Sequence, residues 1–275
     1  MDRYCVVGNP VAHSRSPWIH ARFAQLTGQS LQYDRLLVEP TGFVRALADL
    51  RAAGARGCNV TVPFKFDAAA AATQATARAR LAGACNTLRF DGESVFADNT
   101  DGVGLVRDIE GNAGVTLRGA DMLLVGAGGA AAGVLGPLLE AGPRRIVLAN
   151  RTAEKAIALA HRHVTLAAQH RVELVGVALD AVRGDFGVIV NATTASLAGS
   201  SVPVPATVLR PGALAYDLMY GPAAQGFMLW AAGHGATPRD GLGMLVEQAA
   251  EAFLVWRGVR PPSAEVLAEL RALLP

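Results

Sequence analysis

Of the 25 basic residues in this 275-residue chain, 23 are arginine, and only Lys65 and Lys155 are lysine. A guanidinium stays charged in proteins, whereas a lysine ammonium is compact and can give up a proton. A lysine kept in so arginine-rich a chain is therefore a candidate for proton transfer. Lys65 ends the run Asn59-Val60-Thr61-Val62-Pro63-Phe64-Lys65. Polar and apolar residues alternate there until the proline stops a strand, which would let Asn59, Thr61 and Lys65 converge on one pocket. For either lysine alone, survival by compositional chance is an equally good account. Other polar groups lie in Ser14-Arg15-Ser16, Asn86 and Asp98-Asn99-Thr100-Asp101. Two hydroxyls beside helix-terminal amides suit a carboxylate, and the ammonium, amide and carboxylate together suit a small, hydroxyl-rich acid. Each also has an ordinary reading: Ser16 as a helix cap, Asn86 as a turn residue, Asp101 as the cap of the helix after it.

A second constellation follows the strand expected at 121–125. Gly126-Ala127-Gly128-Gly129-Ala130-Ala131 matches the glycine fingerprint of dinucleotide sites, with alanine as its third small residue. The glycines permit a tight turn and close backbone approach, and the helix N-terminus behind them presents amides to a pyrophosphate. The next strand ends in Asn150-Arg151-Thr152-Ala153-Glu154-Lys155, with no acidic residue at its tip to hold ribose hydroxyls. Arg151 and Lys155, four apart on one helix face, can instead meet a 2′-phosphate, so NADP is the expected cofactor. An ordinary surface cation pair is the competing reading.

Positioning these groups requires alternating strands and helices. Short apolar strands are expected at 3–8, 31–38 and 57–60, with helices at 17–27 and 41–53 between them. Ser16-Pro17 reads as a helix start. Strands at 85–90 and 94–98 flank Asp91-Gly92, a hairpin turn. The pattern restarts with strands at 121–125, 145–149, 173–177, 188–191 and 214–217, and two last helices at 243–256 and 263–274 have no strand to follow. The expectation is an α/β chain of two domains. Residues 1–102 plus 240–275 would form a mostly parallel α/β substrate-binding and catalytic domain to which the C-terminal helices return, and 103–239 a Rossmann-type NADP-binding domain.

Bulk properties narrow the classes. A hydrophobic content of 51% implies a sizeable core, and a net charge of +2 with interspersed signs argues against nucleic acid. Cys5, Cys58 and Cys85 have neither metal-ligand spacing nor an even count, which fits a reducing cytoplasm. The start of the chain reads directly as a strand rather than a signal peptide, and the uncharged stretch at 122–139 is broken by glycines and Pro137, so no membrane segment is expected. His161 and His163 diverge on a helix and make no metal site.

Collectively, segments 8–17, 59–65, 82–87, 98–102, 126–130, 150–152 and 240–250 resemble the shikimate dehydrogenase family, in order and with its spacing, over nearly the whole chain. The resemblance implies NADP-dependent interconversion of 3-dehydroshikimate and shikimate in aromatic amino-acid biosynthesis. It implies that Ser14 and Ser16, helped by Tyr220, hold the substrate carboxylate. Thr61, Lys65, Asn86, Asp101 and Gln248 would bind ring hydroxyls, with Lys65 and Asp101 as the catalytic pair. Gly126, Ala127, Gly128, Gly129, Ala130, Asn150, Arg151, Thr152 and Lys155 would hold NADP, with Leu218 and Gly241 near the nicotinamide. The small-molecule substrate is the one partner implied, and a homodimer is left open. A ketone reduced by hydride leaves an alkoxide that an ammonium can stabilise and protonate; whether Lys65 chiefly carries the proton or anchors the charge stays open.

Some positions depart from the family pattern: Ala131-Ala132 after the glycine turn, Ala77 at a place that is often acidic, and 191–195 without its usual serine-glycine continuation. They concern chiefly the cofactor. Two other readings compete. One is a relative acting on quinate or an amino-substituted analogue with NAD, against which the Ser14/Ser16 pair and the basic strand tip argue. The other is a non-catalytic binding protein on the same fold, which would have no need of Lys65 and Asp101.

Overall fold

The structure, a computed structural model, describes residues 1–193 and 204–273. The chain divides into two compact units, Met1–Gly104 with Leu245–Pro275, and Leu105–Met244.

The first unit is built on β1 (Asp2–Gly8), β2 (Leu31–Leu37), β3 (Gly57–Val60), β4 (Gln74–Ala75), β5 (Thr87–Asp91) and β6 (Ser94–Asp98), in the order β2-β1-β3-β5-β6-β4. β1 pairs in parallel with both β2 and β3, so its run Tyr4–Val7 is buried on both faces. β2 is an edge strand and carries exposed Gln32, Asp34 and Arg35, polar and charged groups that protect an open edge. β3 turns the sheet: it is parallel to β1 but antiparallel to β5, and β5 and β6 form the expected hairpin, with Gly92 at φ +61°. Gly57 is required where it stands, because a Cβ there would meet the carbonyl of Leu88 and lie 2.8 Å from the Trp256 indole nitrogen. The core beneath includes Val7, Phe43, Cys58, Phe64, Leu88 and Ala97. The two-residue β4 has too little sequence to announce itself and was not expected.

The second unit contains β7 (Asp121–Val125), β8 (Arg145–Asn150), β9 (Glu173–Ala178), β10 (Phe186–Asn191), β11 (Leu209–Asp217) and β12 (Thr237–Arg239). They form one wholly parallel sheet in the order β12-β11-β10-β7-β8-β9. The strand order reverses between β7 and β10, and in such sheets ligands bind beyond the carboxyl ends of the strands at that switch. β7 is buried along its length, as a central strand must be. β12 is short and contains Pro238, which hid it from sequence reading.

Two helix starts differ from expectation. Ser16 is not the cap of helix Ser16–Thr27 but its first residue, and its amide donates to Ser14 Oγ at 3.3 Å. Asp101 likewise opens helix Asp101–Arg107 rather than capping it; the cap contact comes from Asn99 Oδ1, which accepts the Asp101 N–H at 3.2 Å. The last expected helix spans Ser263–Ala272, while Leu274 lies outside the described residues, as do Thr194 and Ala195 of the segment noted above.

Candidate functional site

In the first unit, the sheet turn at β3 brings the polar segments together. β3 ends at Val60, and residues 61–64 make a turn before helix Lys65–Ala71, so Lys65 opens a helix instead of closing a strand. Cys85 N–H donates to the Lys65 carbonyl at 2.8 Å and fixes that turn against the approach to β5. Lys65 Nζ donates to Asp101 Oδ2 at 2.5 Å, and both side chains are mostly withdrawn from water, 14% and 7% exposed. Asp101 Oδ1 accepts from Asn86 Nδ2 at 2.8 Å, so each carboxylate oxygen has a donor.

Asn86 is the centre of this group. Its Nδ2 also lies 2.9 Å from Thr100 Oγ1 and 3.1 Å from Gln248 Oε1, while its Oδ1 accepts the Thr100 amide at 2.8 Å. A carboxamide nitrogen carries two hydrogens, so only two of its three acceptors can be filled at once. Gln248 Nε2 donates back to the Leu245 carbonyl at 2.8 Å within its own helix. Lys65, Asn86, Asp101 and Gln248 thus form one connected set.

Asn59 does not join Lys65. It is buried, accepts from Tyr33 Oη at 2.7 Å, and donates to the Asn86 carbonyl and Thr87 Oγ1, both at 3.1 Å. The alternation that aimed it at the pocket ends with β3, and its side chain belongs to a polar ladder under the site. Burial pushes the Tyr33 phenol well above its usual range and the Cys85 thiol up to about 12, so neither supplies an ionised group. Thr61 is half-buried in the turn; Ser14 is half-buried and Ser16 buried.

In the second unit, β7 delivers Gly126 at φ +114°, where a Cβ would lie 3.0 Å from the Ala192 carbonyl oxygen. Gly128 then leads into helix Gly129–Glu140, whose N-terminus carries no side-chain cap among the described residues. Uncapped amides behind a glycine turn are an anion cradle. Asn150 at the tip of β8 donates to the Thr152 carbonyl at 2.9 Å, and Arg151, Thr152 and Lys155 are exposed. Among the described residues neither Arg151 nor Lys155 is in an ion pair, so both cations are available to a phosphate. These residues fit NADP.

Leu218, Tyr220 and Gly241 also lie in this unit. Gly241 N–H donates to the Met219 carbonyl at 2.8 Å, and a Cβ on Gly241 would run into the Leu218 carbonyl. Residues 218 and 241 are therefore in backbone contact. Sequence reading missed what fixes them. Fully buried Asp108 accepts from Tyr216 Oη at 2.7 Å and from Arg239 Nε and Nη2 at 2.7 and 2.6 Å. Burial alone would raise the Asp108 carboxyl; the donors from Arg239, Tyr216 and Asn112 outweigh it and hold it below the usual carboxylate range. No motif marks Asp108, since it lies in a short π-helical segment, Asp108–Asn112.

Three family models match parts of this chain. Residues 6–88 match a family model described as the shikimate dehydrogenase substrate binding domain, 109–198 one described as shikimate/quinate 5-dehydrogenase, and 241–271 a shikimate 5′-dehydrogenase C-terminal domain. The shikimate dehydrogenase (NADP(+)) of Acidovorax sp. (strain JS42) is 67% identical over 99% of this chain and 97% of its own. An Ael1 enzyme of Pseudomonas putida is 44% identical, with a TM-score of 0.87 and 98% of each chain covered. Shikimate 5-dehydrogenase of Thermus thermophilus, solved with NADP(H) and shikimate, is 32% identical, with a TM-score of 0.85 and both chains covered in full.

Proposed function

This chain belongs to the shikimate dehydrogenase family, and from that premise we propose that Lys65 and Asp101 are its catalytic pair. The reaction is the reversible, NADP-dependent reduction of 3-dehydroshikimate to shikimate, a step of aromatic amino-acid biosynthesis. NADPH supplies the hydride. The observation that carries the residue assignment is the 2.5 Å bond from Lys65 Nζ to Asp101 Oδ2, in a group joined through Asn86 to Gln248.

Hydride addition turns the carbonyl oxygen into an alkoxide, which needs a positive neighbour and then a proton. Lys65 Nζ has three hydrogens, of which one is held by Asp101, leaving others to stabilise and protonate that oxygen. Asp101, itself fixed by Asn86, keeps the ammonium in one orientation, the positioning that makes proton transfer efficient. In the reverse direction Lys65 receives the proton.

Ser14 and Ser16, with Tyr220, hold the substrate carboxylate in this reading, and Thr61, Asn86 and Gln248 the ring hydroxyls. The over-subscribed Asn86 Nδ2 is consistent with this, because a substrate hydroxyl can take the place of a protein acceptor. Gly126, Ala127, Gly128, Gly129, Ala130, Asn150, Arg151, Thr152 and Lys155 hold NADP, and Leu218 with Gly241 border the nicotinamide. Their support is the glycine cradle and the two cations, Arg151 and Lys155, that make no ion pair among the described residues. The unit Met1–Gly104 with Leu245–Pro275 is accordingly the substrate-binding unit, and Leu105–Met244 the cofactor unit. The three cysteines are free and buried, which supports a cytoplasmic enzyme; no helix among the described residues is long and apolar enough to cross a membrane.

The test crosses shikimate and quinate against NADP and NAD with cofactor reduction as the signal. Shikimate with NADP is expected to be the best pair by kcat/KM; no activity with that pair refutes the reading. Lys65→Arg then separates the two roles of the lysine. Loss of turnover with retained shikimate affinity supports proton transfer, and near-normal turnover removes it.

A further inference from the structure

One buried ionic group in the first unit has no part in the mechanism above. Asp98, 2% exposed at the end of β6, is gripped at both oxygens by Arg78: Nε donates to Oδ1 at 2.7 Å and Nη2 to Oδ2 at 2.5 Å. Thr76 Oγ1 adds a 2.6 Å bond to Oδ1. The same Oδ1 accepts the Asn99 amide at 2.7 Å, and the Asp98 carbonyl accepts the Asn86 amide at 3.1 Å. Asn99 in turn donates to the Ala84 carbonyl at 2.7 Å and caps the helix that begins with Asp101. The direction in which the chain leaves β6, and hence the place of the Asp101 carboxylate, is set by how Asp98 is held.

Arg78 has a second hand. Its Nη2 reaches Glu251 Oε1 at 3.2 Å. Glu251 accepts from Arg260 at 2.8 Å, and Arg260 donates to Glu247 at 2.9 Å. Glu247 and Glu251 stand on either side of Gln248 in helix Leu242–Arg257. One guanidinium is thus bonded both to the segment that carries Asp101 and to the helix that carries Gln248. Those are two of the groups that must reach Asn86 Nδ2 together, at 2.8 and 3.1 Å.

We propose that Arg78 is a positioning residue: by holding Asp98 and Glu251 at once it sets the separation of Asp101 and Gln248 across Asn86, without touching substrate. The inference rests on the catalytic reading above. The planar fork matters as well as the charge, because a lysine can satisfy Asp98 or Glu251 as a point charge but cannot keep two parallel bonds to one while reaching the other. Hydrogen bonds weaken steeply with displacement, and misplacement of a reacting group by about 1 Å can cost on the order of 10²-fold in rate.

The experiment measures kcat and KM for shikimate and for NADP in Arg78→Gln, Arg78→Lys and Glu251→Gln, with melting temperature alongside. Arg78→Gln is expected to lower kcat/KM for shikimate on the order of 10²-fold through both parameters, with KM for NADP unchanged within about twofold, its residues lying in the other unit. Arg78→Lys recovers part of the loss. Combined with Gln248→Ala, Arg78→Gln costs less than the product of the single losses, since both act on one geometry. A fall in kcat that tracks the unfolded fraction, with shikimate KM unmoved, overturns the proposal, as do strictly multiplicative losses. Should Arg78→Gln fail to fold, Glu251→Gln decides, because it leaves the Asp98 pair intact: a raised shikimate KM supports the proposal and a normal one refutes it. An inactive wild type refutes the catalytic reading itself, a result seen before any variant is made.

Discussion

Lowering the pH from 7 to 5 is expected to weaken the first unit by about 2 kcal/mol through a single residue, His20. Its ring is fully buried against Tyr33, stacked at 4.3 Å and 8°, with Phe23, Phe253 and Trp256 around it, and among the described residues neither nitrogen has a well-formed hydrogen bond. Burial pulls the imidazole down to about 3; a side-chain contact with Asn59, whose amide and carbonyl are also engaged by Asn86, Thr87 and Tyr33, opposes this. The folded state therefore stays unprotonated while the unfolded chain takes up a proton near pH 6.5. Because the folded value is the lower one, the effect is absent above about pH 7. Stability is then lost as pH falls, approaching about 1.4 kcal/mol per pH unit, until the folded ring titrates near 3. Between pH 7 and 5 the integrated loss is about 2 kcal/mol. The assay compares urea unfolding of wild type and His20→Phe at pH 7, 6 and 5. The phenyl ring keeps the stack and removes the titration, so the variant gains on the wild type as pH falls, whatever other groups contribute. Parallel pH dependences of the two proteins, within about 0.5 kcal/mol, refute the reasoning.

Other outcomes follow from the same structure. Asp101→Asn is expected to lower kcat about 10²- to 10⁴-fold with far-UV circular dichroism unchanged, read from initial rates of NADP reduction. Arg151→Ala and Lys155→Ala each remove a charged contact worth about 1.5–3 kcal/mol, roughly 10- to 150-fold in KM for NADP; KM for NAD stays where it is, so the cofactor preference narrows. Gly243→Ala drives a methyl into the Asp108 carboxylate, which Arg239 and Tyr216 hold in place, and costs about 1–3 kcal/mol of stability in thermal melts, whereas Gly226→Ala, with open space at its Cβ, costs less.

How much of this could be read from sequence differs by element. β7 and the glycines after it were legible because a central parallel strand must be an unbroken apolar run and the turn needs φ > 0, both of which leave marks in residue type. Lys65 and Asp101 were legible as residues but not as geometry. Lys65 was expected at the end of a strand and stands at the start of a helix, since the strand stops at Val60 and the chain turns through Pro63. Asn59 misled for the same reason: strand alternation predicted its direction only as far as β3 extends. Asp108, Tyr216 and Arg239 were invisible, because they are far apart in sequence and acquire their joint role only when β11 and β12 lie side by side. Arg78 was hidden by its neighbours, an arginine in an alanine-rich helix that could have faced solvent.

The scarcity of lysine has a practical side. A reagent that acylates amines meets the chain's amino terminus and two side chains only. Lys155 is exposed on the helix after β8, while Lys65 is mostly covered and tied to Asp101. Partial labelling should therefore mark the proposed phosphate pocket first and the proposed substrate pocket last. Protection by NADP at one position and by shikimate at the other would make a pair of chemical footprints, one for each ligand, in a protein that needs no engineered handles to provide them.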